Sequence, residues 1–306
     1  MLLVLKSKKK NFPRMMNFLK KLEKRLKNKG CQMDFSSFED IEVFLEKGSV
    51  KMLIKGKPLE TWSTIYPRKV ASYKGLAFML AHLAKEKNIY FLDKYHENSK
   101  DSSDSAKMIQ MFRLGTSGVS IPKTYYSAIY LKQHIKKAIS FLKLPVVVKE
   151  CNTSGGEGVF LAKSASALEK TIKSLLKKFD KKEIFLQEFI PNDFEYRVMI
   201  TGDKVAVVEK KFKNEKEEFR NNVRLGAKEE FIKESQVSSE VKKAALLAAK
   251  VTGIEVAGVD IVERKNGQPV VFEVNACPAF TLNEEVSDEI SLLADYLSKC
   301  EKKRNS

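Results

Sequence analysis

The chain has 306 residues, 43% of them hydrophobic, and a formal net charge of +17. That length holds two domains or one large domain with subdomains, and the composition reads as soluble and globular. The longest apolar stretch, Gly75 to Ala84, is interrupted by His82 and is too short to span a bilayer, so no membrane association is expected.

The excess charge suits an anionic ligand. The lysines are spread along the chain, however, and form no tract interleaved with aromatics, which argues against nucleic acid as the partner. Cys31, Cys151, Cys277 and Cys300 lack the spacing of a zinc site or redox motif, as expected of a reduced, cytoplasmic protein. The opening Met1-Leu2-Leu3-Val4-Leu5, followed by lysines, is too short and of the wrong polarity for a signal peptide.

In chain order, a short strand at Leu2–Leu5 precedes an amphipathic helix from Pro13 to about Asn28, with Leu19, Leu22 and Leu26 on one face. Ser36-Ser37-Phe38-Glu39 has the form of a capping box and predicts a second helix ending at Gly48. Strands are expected at Lys51–Ile54 and Trp62–Tyr66, a helix at Tyr73–Lys87 and a strand at Ile89–Leu92. The stretch from Glu97 to Ser105, rich in Asn, Ser and Asp, reads as a linker. Beyond it come a helix to about Leu114, another near Leu131–Leu142 and a strand Val146–Lys149. A glycine loop and a strand follow, then a helix near Ala167–Lys178. Next are a strand at Phe185–Ile190, a hairpin around Gly202-Asp203, and helices at Ser239–Thr252 and Ser287–Lys299. The pattern is α/β (α+β), with a small domain over residues 1–98 and a larger one over 99–306, itself divided near residue 187.

Asn266-Gly267 predicts a two-residue type I′ hairpin with Lys265 opposite Gln268. That register sets Asp260 opposite Glu273, Val262 opposite Val271 and Ile261 opposite Phe272, with Asn275 two residues on and leaving the same face as Glu273. Two facing carboxylates on a mostly apolar hairpin repel unless a cation lies between them. Oxygen ligands from two carboxylates and an amide suit a hard divalent ion; a surface hairpin with solvated acids is the alternative. Upstream, Gly155-Gly156-Glu157-Gly158 follows a buried strand, and its glycines let backbone amides approach phosphates. No Gly-Lys-Ser/Thr is present, so this is not a Walker loop. Lys149 ends the preceding strand, either reaching a phosphate under the loop or standing exposed at the strand end.

Taken in order, Lys149, the glycine loop, Gln187-Glu188-Phe189-Ile190, Asp260 and Glu273-Val274-Asn275 resemble the ATP-grasp superfamily. Within it the chain is similar to the RimK-type α-L-glutamate ligases through Asp104-Ser105-Ala106-Lys107, Ile121-Pro122-Lys123-Thr124, Glu195-Tyr196-Arg197, Phe219-Arg220-Asn221-Asn222, Ala257-Gly258-Val259-Asp260-Ile261 and Asn275-Ala276-Cys277-Pro278. The likeness covers roughly Ser99 to Pro278 and reaches more loosely into the first domain at Tyr66-Pro67-Arg68.

The resemblance implies an ATP-grasp fold behind a small α/β domain and an ATP-dependent carboxylate–amine ligase working through an acylphosphate. It places Lys107 and Lys149 on the α- and β-phosphates and the amides of Gly155, Gly156, Glu157 and Gly158 over the β- and γ-phosphates. Adenine would meet the backbone around Gln187, Glu188, Phe189 and Ile190, with Glu195 near the ribose. Arg197, Arg220 and Asn222 would face the γ-phosphate and acyl group, with Asn221 beside the nucleotide. Asp260, Glu273 and Asn275 would hold two Mg²⁺, Glu273 bridging, with Mn²⁺ as a substitute. The implied partners are ATP, an amino-acid donor such as glutamate, and a carboxylate acceptor on a small molecule, peptide or protein; a homo-oligomer is left open. Three departures bear on the amino acid, one of them a segment between Ile190 and Glu195 shorter than the family's usual one. Lys210-Lys211 stands where the family usually has arginine, and Pro278-Ala279 replaces the family's Pro-Gly. A glutathione- or dipeptide-synthetase-like ligase and a non-catalytic nucleotide-binding regulator are the alternatives.

Overall fold

The computed structural model describes residues 1–7, 13–70, 72–96, 107–151, 158–178, 183–212 and 228–302. The chain opens with β1 (Leu2–Lys6), α1 (Pro13–Lys27) and β2 (Met33–Ser37), then β3 (Ile41–Glu46), β4 (Ser49–Ile54) and β5 (Lys57–Pro58). Next come β6 (Thr64–Pro67), α2 (Lys74–Glu86) and β7 (Tyr90–Phe91). β1, β2, β6 and β7 form a parallel sheet in the order β2-β1-β6-β7. All five residues of β1 are buried, as an unbroken apolar run requires in a parallel strand covered on both faces.

The helix predicted at 36–48 is absent. Asp40 accepts bonds from the Ser36 and Ser37 hydroxyls (2.8 and 2.9 Å) and from the Ser37 amide (3.0 Å), so the polar signal is spent on one 3₁₀ turn, Phe38–Asp40. The following Ile-Glu-Val-Phe-Leu-Glu then pairs with β4 as an antiparallel hairpin turned at Gly48, whose φ is +76°. The capping pattern was real, but β-branched residues at alternate positions favoured a strand.

A second sheet, β10-β9-β11-β8, is antiparallel and comprises β8 (Thr124–Tyr125), β9 (Val146–Glu150), β10 (Val159–Ala162) and β11 (Ile184–Glu188). The helices α4 (Lys132–Leu142) and α5 (Ala165–Lys178) share a core with Val146, Val148, Ile184 and Leu186. Alternation along β9 therefore turns Lys149 to the opposite face.

The third sheet, also antiparallel, has the order β14-β13-β12-β15-β16, from β12 (Phe194–Thr201), β13 (Lys204–Phe212), β14 (Lys228–Ile232), β15 (Val256–Glu263) and β16 (Pro269–Asn275). One face (Tyr196, Val198, Ile200, Val208, Val259, Ile261) buries against α3 (Lys107–Thr116) and α6 (Ser239–Thr252). The other face carries Glu195, Arg197, Glu209, Lys211 and Asp260, each one residue out of phase with that core. β14 escaped sequence reading because Lys-Glu-Glu-Phe-Ile is a mostly exposed edge strand with charges at its first three positions.

The last helix, α7 (Glu289–Lys302), returns to the first sheet: Ile290, Leu293 and Leu297 join Leu2, Val4, Phe18 and Leu22 in one apolar cluster. Among the described residues no helix is long and apolar enough to cross a membrane.

The β15–β16 hairpin departs from its predicted geometry in two compensating ways. Arg264 N donates to Gln268 O at 2.9 Å and Gly267 N to Arg264 O at 2.8 Å, a three-residue turn in which Gly267 alone has positive φ (+78°). Ile261 therefore faces Val271 and Val262 faces Val270, one residue off the expected register. A bulge at Phe272 restores it, so that Asp260 does face Glu273.

Candidate active site

Asp260 is the centre of the charged face. From β12, Arg197 grips it with Nε and Nη2, each 2.8 Å from a different carboxylate oxygen. From β13, Lys211 Nζ lies 3.1 Å from Asp260 Oδ1 and 3.6 Å from Glu195 Oε1, with only 2% of the residue exposed. Asn275 Nδ2 donates to Asp260 Oδ2 at 3.1 Å and to Gly258 O at 3.4 Å. Burial pushes the Asp260 carboxyl up, but Arg197 and Lys211 more than offset this and hold it well below the usual carboxylate range. Glu195 moves the other way, because burial and then Asp260 outweigh Lys211, Arg197 and Lys149.

Lys149 and Lys107 approach this face from the second sheet and α3. Lys107 Nζ is 3.7 Å from Glu273 Oε1, and Lys149 Nζ lies 5.2 Å from the ring centre of Phe272, the residue at the bulge. Burial, then the charge of Lys107, lowers Lys149 to about 8. Two lysines thus stand within one electrostatic neighbourhood of two carboxylates, an arrangement suited to a polyanion carrying its own cation.

Glu188 has its side chain committed: Oε1 accepts from Lys123 N at 2.8 Å, and the carboxylate pairs with Arg264 from the hairpin turn. Gln187, 1% exposed, donates to Thr124 Oγ1 at 2.9 Å. Ile190 packs on Val262 and Val270, joining the end of β11 to the hairpin. Gly158 lies beside β9, its carbonyl accepting from Glu150 N at 2.9 Å. Phe189 is half-buried. The remaining candidates, Gly155, Gly156, Glu157, Arg220, Asn221 and Asn222, lie outside the described residues.

Three residues not among the candidate site residues also shape the site. Lys211 is the deepest cation on the face, and its signal was the alternation Val207, Glu209, Lys211 along β13. Gln110 of α3 brackets Val274 with two 2.8 Å bonds, Nε2 to the carbonyl and the amide to Oε1, docking α3 on β16 as a strand would dock. Gly258 admits the close approach of Pro278. A Cβ there would stand 2.8 Å from Pro278 Cβ and 3.5 Å from Arg197 Cδ. Gly258→Ala is expected to cost about 1–3 kcal/mol, as overpacking does, read as a lower urea midpoint at unchanged slope.

The donor set can be tested for a divalent ion. Asp260, Glu273 and Asn275 offer oxygen only, from adjacent strands, as a hard cation prefers. Four bonds, two from Arg197 and one each from Lys211 and Asn275, fill the roughly four lone-pair sites of Asp260. Glu273 is less committed, with Lys107 at 3.7 Å and a third of its side chain exposed. The residues fit an ion entered from Glu273, with one Asp260 bond exchanged. No group of three His, Cys, Asp or Glu side chains among the described residues forms a protein-only cage.

The profile of the RimK-like ATP-grasp domain matches residues 102–293, and the chain belongs to that family. A probable alpha-L-glutamate ligase of Stutzerimonas stutzeri is 30% identical over 250 residues, covering 80% of this chain and 79% of the relative. Among solved structures, the ATP-grasp ligase PsnB complexed with a precursor variant, Mg and ADP superposes with a TM-score of 0.70 at 16% identity, over 98% of both chains. The macrocyclase MdnC of Microcystis aeruginosa, bound to its precursor peptide MdnA, does so with a TM-score of 0.69 at 15% identity, over 97% of this chain and 99% of that one. At these identities the two structures establish the fold alone. The protein is an ATP-dependent carboxylate–amine ligase.

Proposed function

We propose that the protein adds an amino acid, glutamate first among candidates, to the carboxylate of a peptide or protein. The observation that carries this reading is the meeting of Lys107 and Lys149 with Glu273 and Asp260 between two sheets. Family membership and the curated glutamate-ligase relatives support glutamate; the two peptide-bound or precursor-bound structural neighbours support a peptide acceptor.

In this reading Lys107 and Lys149 bind the phosphates as point charges, and Gly155 to Gly158 cover them with backbone amides. Adenine lies along Gln187 to Ile190, where Arg264 pairs with Glu188, with Glu195 toward the ribose. Glu273, Asn275 and Asp260 would hold Mg²⁺, two ions in the family pattern and Mn²⁺ in its place, which neutralises charge on the transferring phosphoryl group. Arg197, Arg220 and Asn222 orient the γ-phosphate and acyl group, and Asn221 lies beside them. The acceptor carboxylate attacks the γ-phosphate to give an acylphosphate and ADP, and the amine then displaces phosphate. No side-chain nucleophile is required; positioning and charge neutralisation suffice. The division at about residue 98 belongs to the same proposal, as does a cytoplasmic setting, which the four free cysteines favour.

ADP release measured with each amino acid against glutamate-terminated peptides, followed by product mass, tests the reading. Mass gain of one residue dependent on ATP is expected; ADP release that no amino acid alters would sink it. Nucleotide binding gives a second test. Bound phosphate favours the charged lysine and raises its pKa, so ATP affinity is expected to fall as pH rises above about 8, the value at Lys149. The fall is at most about 1.4 kcal/mol per pH unit for one proton. Calorimetry should show the decline in wild type, a flat profile in Lys149→Arg, and weaker binding in Lys149→Ala. Equal affinity in wild type and Lys149→Ala would leave this lysine a bystander.

A further inference from the structure

The reaction above needs a group that receives the amine, and Asp260 and Glu273 lie on the β15–β16 side of Arg197. Glu209 lies across β12 from them. On β13 it is in register with Arg197 on one side and Phe231 of β14 on the other, so the row across the sheet reads Glu209, Arg197, Asp260, Glu273. At sheet spacing the Glu209 and Asp260 backbones stand two strands, about 10 Å, apart. Glu209 is 6% exposed, and its Oε1 is buried with no hydrogen-bond partner. A carboxylate oxygen kept from water without a partner is costly, and such groups are rare without a role.

The groups facing Glu209 are Glu229 from β14, whose carboxyl shares a hydrogen bond with it, Lys211 from its own strand and Arg197 from β12. Glu229 is exposed on the edge strand, so the hydrogen-bonded pair joins solvent to the buried Glu209 carboxyl. Glu289, at the start of α7 and 5% exposed, adds a third acid to this side; Thr281 N donates to it at 2.6 Å, and it lies within the fields of Glu229, Arg197 and Arg68. Arg197 thus stands between Asp260 and Glu273 on one side and an acidic cluster at Glu209 on the other.

We propose that Glu209, approached past Glu229, is the amine subsite: it binds the ammonium group of the incoming amino acid and takes the proton that must leave before the nitrogen attacks. This rests on the ligase reading above and names the residue that serves its second half-reaction. The N–H bond breaks and its proton passes to the Glu209 carboxylate. The freed lone pair forms the C–N bond at the acylphosphate carbon, and the C–O bond to phosphate breaks, its electrons leaving with phosphate. The second ammonium proton passes to the departing phosphate. The basicity of Glu209 agrees with this role. Burial, then the hydrogen bond shared with Glu229, raise it well above the usual range, and Lys211 and Arg197 only partly offset them. An ordinary carboxylate would be a poor acceptor for an ammonium proton.

The test compares Glu209→Gln with wild type, using the dipeptide Glu-Glu as carboxylate, L-glutamate as amine and hydroxylamine as an alternative nucleophile that is already neutral at pH 7. Glutamate ligation is expected to fall about 10²–10⁴-fold, the range of a lost general base, while hydroxamate formation stays near the wild-type rate. Glu209→Asp should recover part of the ligation, and Glu229→Gln should raise the KM for glutamate more than it lowers kcat. Equal loss with both nucleophiles, or no loss with either, overturns the amine subsite. A wild-type enzyme that makes neither hydroxamate nor triglutamate overturns the glutamate reading itself, and this proposal with it.

Discussion

Replacing Asp260 with asparagine is expected to abolish ADP release and also to lower the unfolding free energy by about 3–5 kcal/mol, the cost of breaking a buried ion pair from one side. Asp260 is 7% exposed and answers Arg197 through both oxygens and Lys211 through one. An amide in its place supplies one acceptor oxygen and turns a donor toward Arg197, half-buried, and Lys211, buried. Arg197 then loses its bidentate partner, and Lys211 keeps only the longer 3.6 Å contact to Glu195. Urea denaturation at constant slope, alongside ADP release, measures both effects. A variant as stable as wild type would show that water or a neighbouring acid already satisfies Arg197.

Glu273→Gln separates chemistry from folding. Here the carboxylate has a long contact to Lys107 and a third of its side chain in solvent, so the stability change should stay within about 1 kcal/mol. Turnover is expected to fall about 10³-fold, since metal neutralisation of a transferring phosphoryl group is worth several kcal/mol. A readout independent of turnover is thermal stabilisation: MgCl₂ with ADP should raise the Tm of wild type well above ADP alone, and Glu273→Gln should lose most of that increment. If the variant keeps both the increment and the rate, Glu273 does not hold the ion. Asp260→Asn alone cannot decide this, because its effect mixes a lost ligand with a weakened sheet.

The hairpin shows why the site was partly legible beforehand. Asn266-Gly267 marked the turn correctly, and the alternation of apolar and acidic residues marked the strands. The predicted facing of Asp260 and Glu273 holds, yet the route to it differs: a three-residue turn slips the register by one and the Phe272 bulge slips it back. Turn length and bulge are not separable from local sequence, because both depend on how Phe272 packs beyond the hairpin. At residues 36–48 the same limit acted the other way. A valid capping signal satisfied a single 3₁₀ turn, and pairing with β4 decided the rest.

By itself the sequence determined which residues carry charge out of phase with an apolar core, and the order of lysines, glycine loop and acids that marks the family. Those are local properties, set by side-chain alternation and chain order. Only the tertiary structure decided what each charge faces. Arg197 and Lys211, from two neighbouring strands, converge on Asp260, Arg264 holds Glu188, and Glu209 lies on the far side of Arg197. The reason is that strand order in a sheet is a long-range choice. The central β12 lies 63 residues from its partner at Asp260, and the energy of an ion pair appears only once that pairing exists.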